Sequence, residues 1–268
     1  MNVRALGVLV ALLLLHVTAG AAPSGVLLDE LTWTELRDAQ RAGKTTIIIP
    51  VGGTEQSGPQ MALGKHNVRV QILAARIAAT LGNALVAPVV SYVPEGNITP
   101  PSGHMRFPGT ISIPDAAFQA VIDGAARSFR QGGFTDIVLI GDHGGYQNQL
   151  KAVAQRLNRD WAGTRVRAHF IDEYYQITQT AYVQALHAKG LSDAQIGLHA
   201  GAADTSLMLA TDASRVRPDQ YASAAQGAPG NGVNGDPRPS SATLGEAGVE
   251  LIVSHTVAAI RKATGARQ

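Results

Sequence analysis

The chain has 268 residues, 22 of them basic and 20 acidic, with a net charge of +2 and no cysteine. This near balance gives no electrostatic case for nucleic acid or for an anionic membrane surface. Without cysteine the protein has no disulfides and depends on its core, for which its length is ample.

Arg4 precedes an apolar run from Ala5 to Leu15, and Ala19-Gly20-Ala21 precedes Ala22-Pro23. One positive charge, an apolar stretch of about 11 residues and a small-x-small site read as a secretory signal peptide over residues 1–21. A membrane span needs roughly 20 apolar residues, so no membrane attachment is expected once this segment is removed. Residues 22–268 are expected to form one domain in the periplasm or outside the cell.

Beyond this segment, buried-type apolar runs alternate with amphipathic stretches. Thr45 to Val51 reads as a strand and Val68 to Leu81 as a helix, with apolar residues at helical spacing. Ala84 to Tyr92 is strand-like, and Pro94 to Pro108 is a Gly/Pro loop. Asp115 to Arg130 reads as a helix stopped by Gly132-Gly133, and Asp136 to Ile140 as a strand. Tyr146 to Trp161 reads as a helix, Val166 to Ile171 as a strand and Tyr174 to Lys189 as a helix. Gln226 to Ser241 is a long loop before a last helix, Ala242 to Thr264. Strands separated by helices predict right-handed crossovers and a mainly parallel sheet in a three-layer α/β/α fold.

Three loops carry candidate chemistry. The first, Pro50-Val-Gly-Gly-Thr-Glu-Gln-Ser-Gly-Pro-Gln-Met-Ala-Leu-Gly-Lys-His66, sets Glu55 and His66 beyond a buried strand, where open α/β sheets bind ligands. Read singly, a lone Glu after a strand favours a turn cap for Glu55, and His66 is equally a solvent-facing residue at the helix N-terminus. The second, Gly141-Asp-His143-Gly144-Gly145, has no bulk to make it a packing unit, which favours a site role for His143. The third, Leu198-His199-Ala-Gly-Ala-Ala-Asp204, puts an imidazole on a small-residue turn and a carboxylate at the start of a helix, where it would complement the macrodipole. His104, on the Gly/Pro loop, either lines the pocket or faces solvent.

These segments resemble the creatininase family of amidohydrolases. PVGGTEQSGPQMALGKH is similar to the family's EqHGpHLPlgtD loop, GDHGGYQN to its second His motif and HAGAADTSLML to its HAGxxETSlML motif. Phe107-Pro-Gly-Thr-Ile111, Gly232-Val-Asn-Gly-Asp-Pro237 and Ala242-Thr-Leu-Gly-Glu-Ala-Gly248 match further family segments, so the resemblance runs from about Leu28 to the last helix. It implies a metal centre that hydrolyses a C–N bond of a small cyclic amide or related amide, in a homo-oligomer that is often a hexamer.

The family's first metal is held by the Glu of EqHG, the Asp of GtD and the second-motif His. Its second metal takes the His of EqHG, the same Asp as a bridge and, in some members, an acid two residues beyond the second-motif His. Glu55 and His143 match the first metal's ligands, whereas Ser57, His66 and Gly145 stand where the family has the first-loop His, the bridging Asp and that acid. A carboxylate bridges two cations, but a neutral imidazole offers one lone pair to one metal. Glu55, His66 and His143 therefore form an expected set for one divalent ion, most plausibly zinc, with manganese or iron compatible by ligand type. His199 and Asp204 would be catalytic. Gly144 and Gly145 would offer N–H groups to a developing oxyanion, and His104 would bind substrate. The other reading is a non-catalytic periplasmic small-molecule-binding relative with a degenerate metal site.

Overall fold

A computed structural model describes residues 25–226 and 230–265. The expected signal peptide and residue 22 lie outside the described residues. Helix α1 (Trp33–Arg41) opens with a capping box, Thr32 accepting from Glu35 N–H while Glu35 accepts from Thr32 N–H. The central strands are β1 (Thr46–Val51), β2 (Ala84–Val86), β3 (Asp136–Gly141) and β4 (Arg167–Phe170), all parallel, in the order β2-β1-β3-β4. The helices between them are α2 (Lys65–Leu81), α3 (Asp115–Gln131) and α4 (Gln147–Asp160). After β4 come α5 (Glu173–Gln179), α6 (Ala181–Ala188), α7 (Asp193–Ile196), α8 (Ala202–Asp212), α9 (Tyr221–Ala224) and α10 (Ala242–Thr264).

All six residues of β1 are buried, as a central parallel strand covered on both faces requires. Its alternate side chains go to two cores. Ile48 packs with Val70, Leu73 and Ile77 of α2 and with apolar residues of α5, α6, α8 and α10, while Ile47, Ile49 and Val51 face Phe118 and Ile122 of α3 and Leu150 and Leu157 of α4. The result is the expected three-layer fold. The chain leaves β1 for β2 on one side and leaves β3 for β4 on the other. The crevice at the carboxyl ends of the adjacent strands β1 and β3 is therefore a topological switch point.

Two expected elements are shorter or broken. Of Ala84 to Tyr92 only Ala84–Val86 joins the ladder, because Pro88 has no N–H to donate; Val90 returns as an isolated bridge to Val51. The expected helix from Tyr174 to Lys189 breaks at Thr180 (φ −123°, ψ −91°). The Thr178 and Thr180 hydroxyls donate to the Tyr175 and Gln176 carbonyls, the local bonding that competes with helix continuation. Among the described residues, no helix is long and apolar enough to cross a membrane.

Candidate metal centre

Glu55 sits at the centre of the switch-point crevice with its carboxylate wholly buried, surrounded by four imidazoles. His66 Nε2 lies 2.7 Å and His199 Nδ1 3.7 Å from its Oε1; His104 Nε2 lies 3.2 Å and His143 Nε2 3.6 Å from its Oε2. Five different segments supply these groups. Glu55 hangs on the loop after β1, His66 is the second residue of α2, and His143 follows β3 at the start of a 3-10 turn, Gly144–Tyr146. His104 lies on another such turn, Gly103–Arg106, within the Gly/Pro loop. His199 is pinned before α8 by paired backbone hydrogen bonds with Asn234.

The first turn of α2 delivers a second set of charges beneath Glu55. Lys65 Nζ is 3.4 Å from Glu55 Oε1 and 3.1 Å from Asp204 Oδ2. Arg69 donates to Asp142 through Nε (2.9 Å) and to Asp204 through Nη1 (2.9 Å), and Tyr174 Oη donates to Asp142 at 2.8 Å. His66 bridges the two sets, because its Nδ1 lies 2.6 Å from Asp142 Oδ2. Buried ions are tolerated when each is paired and hydrogen-bonded, as here.

These neighbours set the ionisation. Burial pushes the Glu55 carboxyl up, but Lys65 and then His66 outweigh it and hold the group well below the usual range. Burial likewise opposes Lys65 and Arg69 at Asp204, and Arg69 and His66 at Asp142, and both carboxyls end up below their ordinary value. Burial pushes the His143 ring down to about 4 and the His199 ring down to about 3, which keeps both imidazoles neutral, the form that binds a metal. Glu95 goes the opposite way, raised by burial and then by the Glu55 charge to about 9.

Donor atoms around a tetrahedral zinc lie about 3.3 Å apart, given zinc–ligand bonds of about 2.0 Å. The separations of Glu55 from His104, His143 and His199 fall around that value and are long or ill-aimed for hydrogen bonds. Two trios have one donor atom each within 4.8 Å of one another: Glu55, His66 and His143, and Glu55, His104 and His199. Glu55 Oε2 and both carboxyl oxygens of Glu95 are buried without a hydrogen-bond partner among the described residues, which is costly unless a cation, or a proton shared between the two groups, completes them. The residues present fit a divalent ion.

Every residue that the sequence singled out lies in or beside this crevice. The trio of Glu55, His66 and His143 is brought together, although both nitrogens of His66 already face carboxylates. The expectation for Gly145 needs correction, because its N–H donates to His143 Nδ1 at 3.1 Å and is not directed at a substrate. Gly144 does line the cleft. Asp204 has one oxygen on Arg69 and the other on Lys65 and the Ala200 N–H, a positioning arrangement that leaves it little scope as a base or ligand. The sequence reading missed Lys65, Arg69, Asp142, Tyr174 and Glu95. Lys65 and Arg69 carry a usable signal, being cationic at helical spacing on the apolar face of α2; Glu95 carries none.

The cleft over these groups holds about 560 Å³ and is lined further by Tyr175, Tyr182, Leu198 and Asn234. The family profile described as creatininase, creatinine amidohydrolase, matches residues 29–260. The chain belongs to the creatininase family. It is 30% identical over 191 residues to the creatinine amidohydrolase of Pseudomonas putida, covering 69% of this chain and 71% of that one. A 3-dehydro-scyllo-inosose hydrolase of Thermotoga maritima is 29% identical over 123 residues, 46% of this chain and 37% of the relative. Among solved structures, a mutant creatininase of Zn-Zn type superposes with a TM-score of 0.73 at 26% identity, over 89% of this chain and 98% of that one. A manganese creatininase gives 0.72 at 26% identity over the same shares. The relatives are named as hydrolases, and this chain carries candidate metal ligands in its switch-point crevice.

Proposed function

We propose that the protein is a metal-dependent amidohydrolase that cleaves a C–N bond of a small cyclic amide or related amide, with one zinc, or manganese or iron in its place, held by Glu55, His66 and His143. The observation that carries this reading is the buried Glu55 carboxylate ringed by four imidazoles in an open cleft. A divalent ion at this place supplies Lewis acidity, polarising a carbonyl and acidifying water towards a pKa of about 7. The cleft volume suits a small molecule, and Tyr175 and Tyr182 give it apolar walls.

The remaining roles follow from the contacts. His199 Nε2 lies 3.0 Å from both the Gln56 carbonyl and the Gln56 side-chain amide nitrogen; in the tautomer that donates to the carbonyl, the lone pair at Nδ1 faces the centre. It would accept a proton from the attacking water there and pass it to the departing nitrogen. Asp204 fixes the turn that carries His199 by accepting from the Ala200 N–H at 2.9 Å. Gly144 N–H, at the cleft wall, is the donor offered to the developing oxyanion, and His104 would contact the bound amide.

The relatives' names span creatinine, an inosose and, in Mycolicibacterium smegmatis, a mycofactocin precursor peptide, so family membership leaves the substrate open. Metal content of protein purified without added metal, followed by a panel of cyclic amides, creatinine and lactones, tests the reading. Metal-free protein that hydrolyses none of them, with or without added zinc, would sink it. That result would favour the second reading, a small-molecule-binding relative, for which Lys65 beside Glu55 speaks as a built-in cation.

We also propose export to the periplasm or beyond, supported by the apolar segment after Arg4, and assembly into a homo-oligomer, by analogy with the family a hexamer. Trp33, Tyr92 and Ile98 are more than half exposed, apolar surface that an assembly would cover. Cell fractionation and light scattering test the two points.

A further inference from the structure

Glu95 lies on the loop after β2, outside every motif that marks the family. Its carboxylate is fully buried, and among the described residues neither oxygen has a hydrogen-bond partner. A buried carboxyl group with no donor is a standing cost that folding does not impose without compensation. The nearest basic atom is His143 Nε2, 3.6 Å from Glu95 Oε2, and the same nitrogen is 3.6 Å from the unpartnered Glu55 Oε2. Two carboxylates from two loops thus lie 3.6 Å from one imidazole nitrogen, longer than a hydrogen bond.

The neighbouring glycines explain how Glu95 came to this place. A Cβ on Gly53 (φ +152°) would sit 2.6 Å from Glu95 Oε1, so the first loop is emptied where the carboxylate rests. A Cβ on Gly145 would meet the His143 ring at 2.8 Å, with the Pro94 carbonyl, beside Glu95 in sequence, at 3.7 Å. Gly145 is the position where the resemblance expects an acid.

We propose that Glu95 is a metal ligand, supplying from the β2 loop a carboxylate to the ion held by Glu55 and His143 in place of the acid absent at position 145. The proposal rests on the metal-dependent reading above and adds to its ligand set. Glu95→Gln keeps the shape and removes the anionic donor.

The test is zinc affinity by chelator competition on the whole protein, with metal content by elemental analysis. A tenfold or greater loss of affinity in Glu95→Gln, with an unchanged melting temperature for the metal-free form, supports the assignment; affinity equal to that of the unmodified protein overturns it. Should the variant fail to fold, X-ray absorption or a crystal structure of the zinc-loaded unmodified protein decides. A Glu95 oxygen at about 2.0–2.2 Å from zinc supports the proposal, and a Glu95 beyond bonding distance overturns it. Unmodified protein that binds no zinc defeats both this proposal and the parent reading, whereas zinc bound equally by both proteins defeats this proposal alone.

Discussion

Lys65 Nζ lies 3.4 Å from Glu55 Oε1, and both side chains are sealed from solvent. The ammonium is fixed from the other side by Asp204 and occupies the flank of Glu55 that His199 also faces. A tethered positive charge there opposes a second divalent ion. Elemental analysis of protein loaded with excess zinc and then desalted should give one ion per chain; two tightly held ions would refute this.

Removing that ammonium leaves Glu55 and Asp204 short of a buried partner. Lys65→Met should destabilise the metal-free protein by about 3–5 kcal/mol, the usual cost of stripping one member from a buried ion pair. Urea denaturation in the presence of a chelator measures it, and an unmoved midpoint would show that the pair contributes nothing.

His143 is expected to matter to metal and turnover together. His143→Ala removes a nitrogen that lies 3.6 Å from both Glu55 Oε2 and Glu95 Oε2, so zinc affinity should fall by more than the 10–100-fold typical of losing an outer partner. Hydrolysis of whichever amide proves active should vanish with it. A variant that keeps its metal and full activity would take His143 out of the centre.

Acid should loosen the fold through Asp142 and Asp204. Both have folded-state pKa values depressed below their ordinary one, after Arg69, Lys65 and His66 outweigh burial. Their stabilisation is therefore fully present above about pH 4 and is lost as pH falls through the lower folded values. Urea midpoints of the chelated protein between pH 6 and pH 3 should drop, and Asp142→Asn, already weaker at pH 6, should drop less steeply.

The β-branched run of β1, the helical period of α2 and the exact ends of α10 were legible because each has a strong local pattern tied to burial. The break at Thr180 and the early end of β2 were harder to read, since single threonine and proline side chains decide them against an otherwise favourable run. Loop position and family likeness located Glu55, His66, His143 and His199. They did not show that His66 is clamped between Asp142 and Glu55, because that contact joins residues 76 apart in sequence. Glu95 was invisible for a related reason: Pro94-Glu95-Gly96 reads as an ordinary turn, and only the folded chain puts its carboxylate behind His143.

A close helix crossing affects the order in which this centre is completed. Gly245 of α10 rests against the Ser206 carbonyl of α8, where any Cβ would collide, and the turn before α8 holds His199 with the help of Asn234. Glu55, His66, Glu95 and His143 all emerge from the ribosome well before these parts. A nascent chain that ends short of α10 should carry most of the donors yet lack a fixed His199, so a finished site waits for almost the whole polypeptide.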